Sequence, residues 1–202
     1  ENQSLQTNAN KKTIADLIAS KKTELSVALP KHLNADRLLR ICLTEIQKNP
    51  KLQQCTAASL AGAVMQAAQL GLEPGGFLGH CYFVPFNNRK KNCSEVQFIP
   101  GYKGLIELAI RSGKVSSISA RIVYKGDKFF YQYGTNERIE HTPDLNAERT
   151  IENIKAVYAL AKLNDGNIKF EVFSVSEIND SRLSSKDPDG IWRSDYEEMA
   201  KK

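Results

Sequence analysis

Apolar positions recur at helical spacing through the first third of the chain. In "TIADLIASKKTELSVAL" they fall at Ile14, Leu17, Ile18, Leu25 and Leu29, and Pro30 ends the run. "NADRLLRICLTEIQKN" offers Asn34 as a cap, an apolar face from Leu38, Leu39, Cys42 and Ile46, and Pro50 as a stop. "TAASLAGAVMQAAQLG" runs from Thr56 to Gly71, which suits a left-handed C-terminal cap. Its alanines and glycine imply close packing against a neighbour. The polar residues 1–12 read as a disordered lead-in.

The period then changes. "HCYFVPF" and "EVQFIPG" are short alternating runs that predict a hairpin, with strands at 80–86 and 95–101 and the basic "NNRKKNCS" as its tip. A helix is expected over 104–112, followed by strands in "ISARIVY" and "KFFYQYG" with Gly126-Asp127 turning between them. Residues 134–150 read as irregular. In "IKAVYALAKLNDGNIKFEVFSV", Asp165-Gly166 predicts a tight hairpin pairing Leu163 with Ile168 and Ala161 with Phe170. Ser174-x-x-Glu177 opens a helix, "KDPDG" is a loop, and Ser194-x-x-Glu197 opens a last helix. Helices flanking a largely antiparallel sheet make the expected class α+β, with residues 13–202 as one domain.

Charge sharpens the picture. The net charge is +5, but residues 87–128 alone carry +6 from nine basic and three acidic side chains, leaving −1 for the rest. A local excess on a near-neutral background suggests a positive surface for a polyanion. The four cysteines (Cys42, Cys55, Cys81, Cys93) form no Cys-x-x-Cys, and His32, His80 and His141 are far apart in sequence. Reduced thiols of a cytosolic protein are the plain reading, a zinc site the alternative. The expected hairpin sets Cys81 opposite Pro100 and Cys93 opposite Asn88, so these two do not face each other. No run of about 18 apolar residues and no signal peptide is present.

Enzyme motifs fail in turn. GxxxxGK[ST], GxGxxG, HExxH and GxSxG are all absent, and no lysine follows a carboxylate at Asp-x-Lys or Glu-x-Lys spacing. The sequence therefore assigns no catalytic residue, metal or cofactor. What it does contain is Gly101-Tyr102-Lys103-Gly104 before a helix. Backbone N–H groups and the dipole there favour an anion, glycines permit close approach, and Lys103 adds charge. Glu107 and Arg111 follow at i,i+4, with Lys103 a turn earlier. The alternative is a plain turn with Tyr102 packed and Lys103 solvated. Trp192 beside Arg193 could likewise stack on a base or anchor a core. The tip residues Arg89, Lys90 and Lys91 could bind a strand or simply keep the loop solvated.

Six blocks, "AQLGLEPG", "LGHCYFVPF", "GYKGLIELAIRSG", "SARIVYKGD", "FEVFSVSEI" and "WRSDYEEMAKK", together resemble the RecT family of phage and prophage single-strand annealing proteins. The resemblance implies a recombinase that uses no ATP, coats single-stranded DNA, forms rings or helical filaments and anneals complementary strands in recombination and repair. It implies a β-β-β-α core like that of Rad52 and a 5′→3′ double-strand exonuclease as partner. A host single-stranded-DNA-binding protein would be a further partner, in the cytoplasm of a bacterial host. The family's last helix continues past "EEMAKK" and a tail follows, so the chain reads as lacking both. The expected groove is lined by the 101–104 turn, Arg111, Arg121 and Lys125. The 89–91 tip would hold the incoming strand or a neighbour, and Trp192, Arg193, Lys201 and Lys202 would close the groove. The competing class is an oligomeric interaction protein that assembles through the Ala-rich helix. A hydrolase with a spatially assembled site is a third.

Overall fold

The computed structural model describes residues 16, 20–30, 33–185 and 187–202. The expected lead-in lies outside them, as do Ile14, Leu17 and Ile18 of the first expected helix. The chain divides into two compact units, Glu1–Leu108 and Ala109–Lys202, and the division falls within one helix.

In the first unit, α1 (Lys22–Ala28), α2 (Ala35–Lys48), α3 (Pro50–Gln53) and α4 (Ala57–Leu70) precede a hairpin of β1 (Cys81–Asn88) and β2 (Cys93–Pro100). Their ends follow local chemistry. The Asn34 side chain accepts the Arg37 N–H at 3.1 Å, Pro50 starts α3 where no N–H is needed, and Gly71 closes α4 at φ 61°. The apolar stripe Leu38, Leu39, Cys42 and Ile46 is buried against Leu25, Leu60, Val64 and Leu72. Each such leucine contributes roughly 2 kcal/mol by leaving water. Ala63, Ala67 and Ala68 are also buried, which keeps α4 low enough for β2 to lie on it. The Ser59 hydroxyl accepts the Val96 N–H at 3.0 Å, and the Ser94 carbonyl accepts the Thr56 N–H at 2.9 Å. The hairpin register pairs Cys81 with Pro100 and Cys93 with Asn88, as the pattern predicts.

The helix after it, α5 (Tyr102–Arg111), begins two residues earlier than expected. Tyr102, Lys103 and Gly104 are thus its first turn rather than a loop before it.

In the second unit, β3 (Val115–Tyr124), β6 (Ile154–Leu163) and β7 (Ile168–Ser174) form an antiparallel sheet in the order β3-β6-β7. A separate ribbon pairs β4 (Lys128–Gln132) with β5 (Arg138–Thr142). Strand β5 lies inside the stretch read as irregular. Its charged alternation "RIEHT" hides a half-buried face of Ile139 and His141. The β6–β7 register also differs from expectation, with Leu160 opposite Phe170 and Lys162 opposite Ile168. Asn164 joins the turn, so the loop has three residues and Gly166 takes φ 89°.

Helix α6 (Val175–Leu183) follows β7 with the expected capping box, Ser174 and Glu177 each satisfying the other's backbone N–H. Two short helices, α7 (Ile191–Ser194) and α8 (Tyr196–Ala200), end the chain. Here Ser194 is not the cap. It belongs to α7, where its hydroxyl donates to the Ile191 carbonyl at 3.2 Å, and Asp195 precedes α8. Tyr124, Ile154, Val157, Ile178, Trp192 and Tyr196 form the second core. The architecture is α+β with antiparallel sheets. Among the described residues, no helix is long and apolar enough to cross a membrane.

Candidate nucleic-acid interface

The motif residues Gly101 and Gly104 are held by protein backbone. The Gly101 N–H donates to the His80 carbonyl at 2.8 Å, and a Cβ on Gly101 would stand 2.5 Å from the Gly79 carbonyl oxygen. Gly104 is buried, and a Cβ there would overlap the His80 carbonyl. Neither glycine has a positive φ among the described residues. Close approach is indeed why these positions are glycine, but the group approached is the Gly79–His80 backbone that leads into β1. The same packing turns Tyr102 (39% exposed) and Lys103 outward on the first turn of α5. Lys103 makes no ion pair with any described residue.

At the hairpin tip, Arg89 and Lys90 are exposed. The Asn88 side chain accepts the N–H groups of Lys90 and Lys91, each at 3.2 Å, and Asn92 takes φ 48° to close the turn. Lys91 is committed differently from its neighbours, since its ammonium lies 2.8 Å from Glu95. The Asn88 amide at 2.7 Å and Lys91 hold the Glu95 carboxyl below its ordinary pKa. Among the described residues, the tip therefore presents two cations without an ion pair, not three.

In the second unit, Arg111 is half-buried at the end of α5. Arg121 is exposed on the edge strand β3, opposite Tyr158 in register, and its guanidinium donates to the Ala120 carbonyl at 2.9 Å. Lys125 is exposed in the turn after β3, fixed by its own N–H to the Asn153 carbonyl at 2.9 Å. Arg121 and Lys125 form no ion pair with a described residue. Near the end of the chain, Arg193 is exposed, Lys201 pairs with Glu198, and the Lys202 ammonium lies 3.6 Å from the Met199 sulfur. Trp192 resolves to packing, at 8% exposed and with its ring centroid 5.8 Å from that of Tyr196. It does not present a face to a base, because it is packed with Tyr124, Ile154, Val157 and Ile178 in the second core.

A buried polar cluster escaped the sequence reading. Asp127 accepts the N–H groups of Tyr124 (2.9 Å) and Asp144 (2.8 Å) and lies 3.0 Å from His141 Nε2. The other ring nitrogen of His141 lies 3.3 Å from the Tyr158 hydroxyl. Burial pushes the Asp127 carboxyl up, but the Tyr124 N–H, His141 and the Asp144 N–H outweigh it and leave the pKa at about 2. Phe129 stacks on Tyr158 and Tyr133 on Phe170, with centroids 5.6 and 5.1 Å apart. The cluster and these stacks fasten the β4–β5 ribbon to the sheet that carries Arg121. The alternation in "KFFYQYG" signalled the aromatic face, and nothing local signalled the partner of His141. On the other face of the ribbon, the Arg138 guanidinium sits 5.0 Å over the half-exposed Phe130 ring.

All four cysteines are free. Among the described residues, no three His, Cys, Asp or Glu side chains converge as a metal site. The arrangement suits neutralising a phosphate backbone with mobile cations on rigid elements.

These features define an α+β protein with exposed cations in both units that make no ion pair with a described residue. The RecT family is matched over residues 36–202, and the chain belongs to that family. It is 45% identical over 186 residues to Protein RecT of Escherichia coli (strain K12), an alignment covering 91% of this chain and 68% of that protein. It is 26% identical over 152 residues to Uncharacterized protein YqaK of Bacillus subtilis (strain 168), covering 75% of this chain and half of that one. The chain thus spans about two thirds and one half of the lengths of these relatives.

Proposed function

We propose that this protein binds single-stranded DNA and anneals complementary strands without a nucleotide cofactor, acting as a ring or helical homo-oligomer in recombination and repair. The observation that carries the reading is the set Lys103, Arg121 and Lys125, exposed and without ion pairs among the described residues, in the segment that carries +6. Two strands repel one another, so annealing needs their phosphates neutralised while base edges stay free. Lysine and arginine on helix and strand ends do this without reading sequence, and base pairing supplies the specificity. In the first unit Arg89, Lys90 and Lys103, with the Tyr102 ring, contact DNA. In the second unit Arg111, Arg121, Lys125, Arg193 and Lys202 do so. Both units serve one annealing activity, and the sheet β3-β6-β7 with α6, interrupted by the β4–β5 ribbon, is the β-β-β-α element we relate to Rad52-like annealing proteins. The partners are a 5′→3′ double-strand exonuclease, which supplies the single strand, and a host single-stranded-DNA-binding protein.

The test is annealing of two oligonucleotides at moderate salt by the wild type and by a Lys103→Ala/Arg121→Ala double variant. Annealing of complementary strands but not of non-complementary ones, lost in the variant, is the expected result. A variant that binds and anneals normally would remove these residues from the interface. Metal-dependent degradation of the DNA would replace the reading with a hydrolase.

A further inference from the structure

The Asp127–His141–Tyr158 cluster ends beside one of the cations. Arg121 and Tyr158 stand directly opposite in the β3–β6 register, so their side chains share a face with Cβ atoms about 5 Å apart. Arg121 is exposed and Tyr158 half-buried. The Tyr158 ring is fixed on two sides. Phe129 of β4 stacks on it with centroids 5.6 Å apart and 21° between the planes, and the His141 ring meets it in a T-shaped contact at 82°. Burial holds the Tyr158 hydroxyl above its ordinary pKa, and the Arg121 guanidinium pulls against that shift. The two groups therefore already interact across the face.

The direction of the hydrogen bonds follows from charge. The Asp127 side chain is fully buried, ionised and able only to accept, so His141 donates to it from Nε2 at 3.0 Å. In the neutral imidazole Nδ1 is then an acceptor, and the Tyr158 hydroxyl 3.3 Å away donates to it. The hydroxyl proton thus points inward, and the oxygen keeps lone pairs for a donor outside. Arg121 is the cation across the strand pair, and one of its nitrogens already donates to the Ala120 carbonyl at 2.9 Å. A guanidinium carries several N–H donors on a planar fork, so one part of it can be held by the protein while the rest faces solvent.

We propose that Tyr158 is a positioning residue for Arg121, its hydroxyl oxygen accepting from the guanidinium while Asp127 and His141 fix the hydroxyl's orientation. The inference rests on the reading of Arg121 as a phosphate contact and adds what sets its place. A lone arginine on an edge strand samples many rotamers and loses that freedom when it meets a phosphate. Held against Tyr158, it has lost much of that freedom before DNA arrives, so binding is tighter without another charge. The same chain of contacts reaches Lys125, because Asp127 also accepts the Tyr124 N–H and returns its own N–H to the Tyr124 carbonyl, closing the turn that carries the lysine. One buried cluster thereby ties two phosphate contacts to a common frame.

The experiment is a double-mutant cycle of Tyr158→Phe and Arg121→Ala, read as affinity for a short oligothymidylate by fluorescence anisotropy at several salt concentrations. Tyr158→Phe keeps the ring on Phe129 and removes only the hydroxyl, so circular dichroism should be unchanged and the thermal midpoint should fall by no more than about 5 °C. Alone it should weaken binding about threefold with the salt slope unchanged. Arg121→Ala should lower that slope by about 0.7, one phosphate contact on a single strand. In the Arg121→Ala background Tyr158→Phe should add less than about 1.5-fold, since no guanidinium is left to position. In isotope-labelled protein, nitrogen NMR should show the Nε2–H tautomer of His141, with an Nδ1 resonance that shifts in Tyr158→Phe. Equal losses from Tyr158→Phe in both backgrounds would make the hydroxyl a direct DNA contact and overturn the positioning role. Wild-type affinity in Tyr158→Phe, or an unmoved His141 Nδ1 resonance, would overturn it too. Wild-type affinity and slope in Arg121→Ala would instead remove Arg121 from the interface and sink the reading on which the proposal stands.

Discussion

Gly104 and Lys103 are adjacent, yet they should fail in opposite ways. In Gly104→Ala the new methyl meets the His80 carbonyl, a backbone group that cannot rotate aside. That carbonyl also accepts the Gly101 N–H at 2.8 Å, so displacing it loosens a second contact. Alanine normally gains up to about 1 kcal/mol over glycine within a helix. The overlap costs about 1–3 kcal/mol, and the weakened hydrogen bond about 1 kcal/mol more. The net expectation is a loss of roughly 2 kcal/mol, or roughly 10 °C in the melting midpoint of a unit this size. Lys103→Ala, at an exposed position without an ion pair to a described residue, should change stability by less than about 0.5 kcal/mol. Thermal and urea unfolding followed by circular dichroism measure both, alongside oligonucleotide binding by anisotropy at several salt concentrations. Lys103→Ala should weaken binding and lower the slope of log affinity against log salt by about 0.7, one phosphate contact on a single strand. A Gly104→Ala protein as stable as the wild type but poor in DNA binding would refute the reasoning, since the glycine would then be making room for a ligand.

Other consequences are equally direct. Asp127→Asn replaces one of the two acceptor oxygens with an N–H donor facing either the Tyr124 or the Asp144 N–H, so it should cost about 2 kcal/mol in urea unfolding. Because the folded Asp127 carboxyl titrates at about 2, below its ordinary 3.8, its stabilisation is complete above about pH 4 and lost as pH falls towards 2. The variant should therefore show a flatter acid limb, and identical acid limbs would exclude the carboxylate. Thiol labelling should modify Cys93 first, as the half-exposed cysteine. Burial pushes the Cys81 thiol up to about 12 and the Cys42 thiol upward as well, so both should react only on unfolding. Annealing and binding by the wild type should fall steeply with salt, and a flat response would mean that charge neutralisation is not the driver.

Much of this protein is local. Asn34, Thr56, Gly71 and the Ser174–Glu177 box act within a few residues of where they stand, so the helix ends they make can be read from the chain. Alternation in "HCYFVPF" and "EVQFIPG" sets the β1–β2 register, because a slip of one residue would turn Phe83 and Val96 out of the core. The excess of positive charge over residues 87–128 is likewise a property of sequence alone. The tertiary structure decided what depends on partners distant along the chain. It gave Lys91 to Glu95, Trp192 to the second core and His141 to Asp127, and it made Gly104 a neighbour of His80. Composition assigns side chains their chemistry, but burial and approach are long-range, and only the packed chain separates a cation free to meet phosphate from one already spent on a carboxylate.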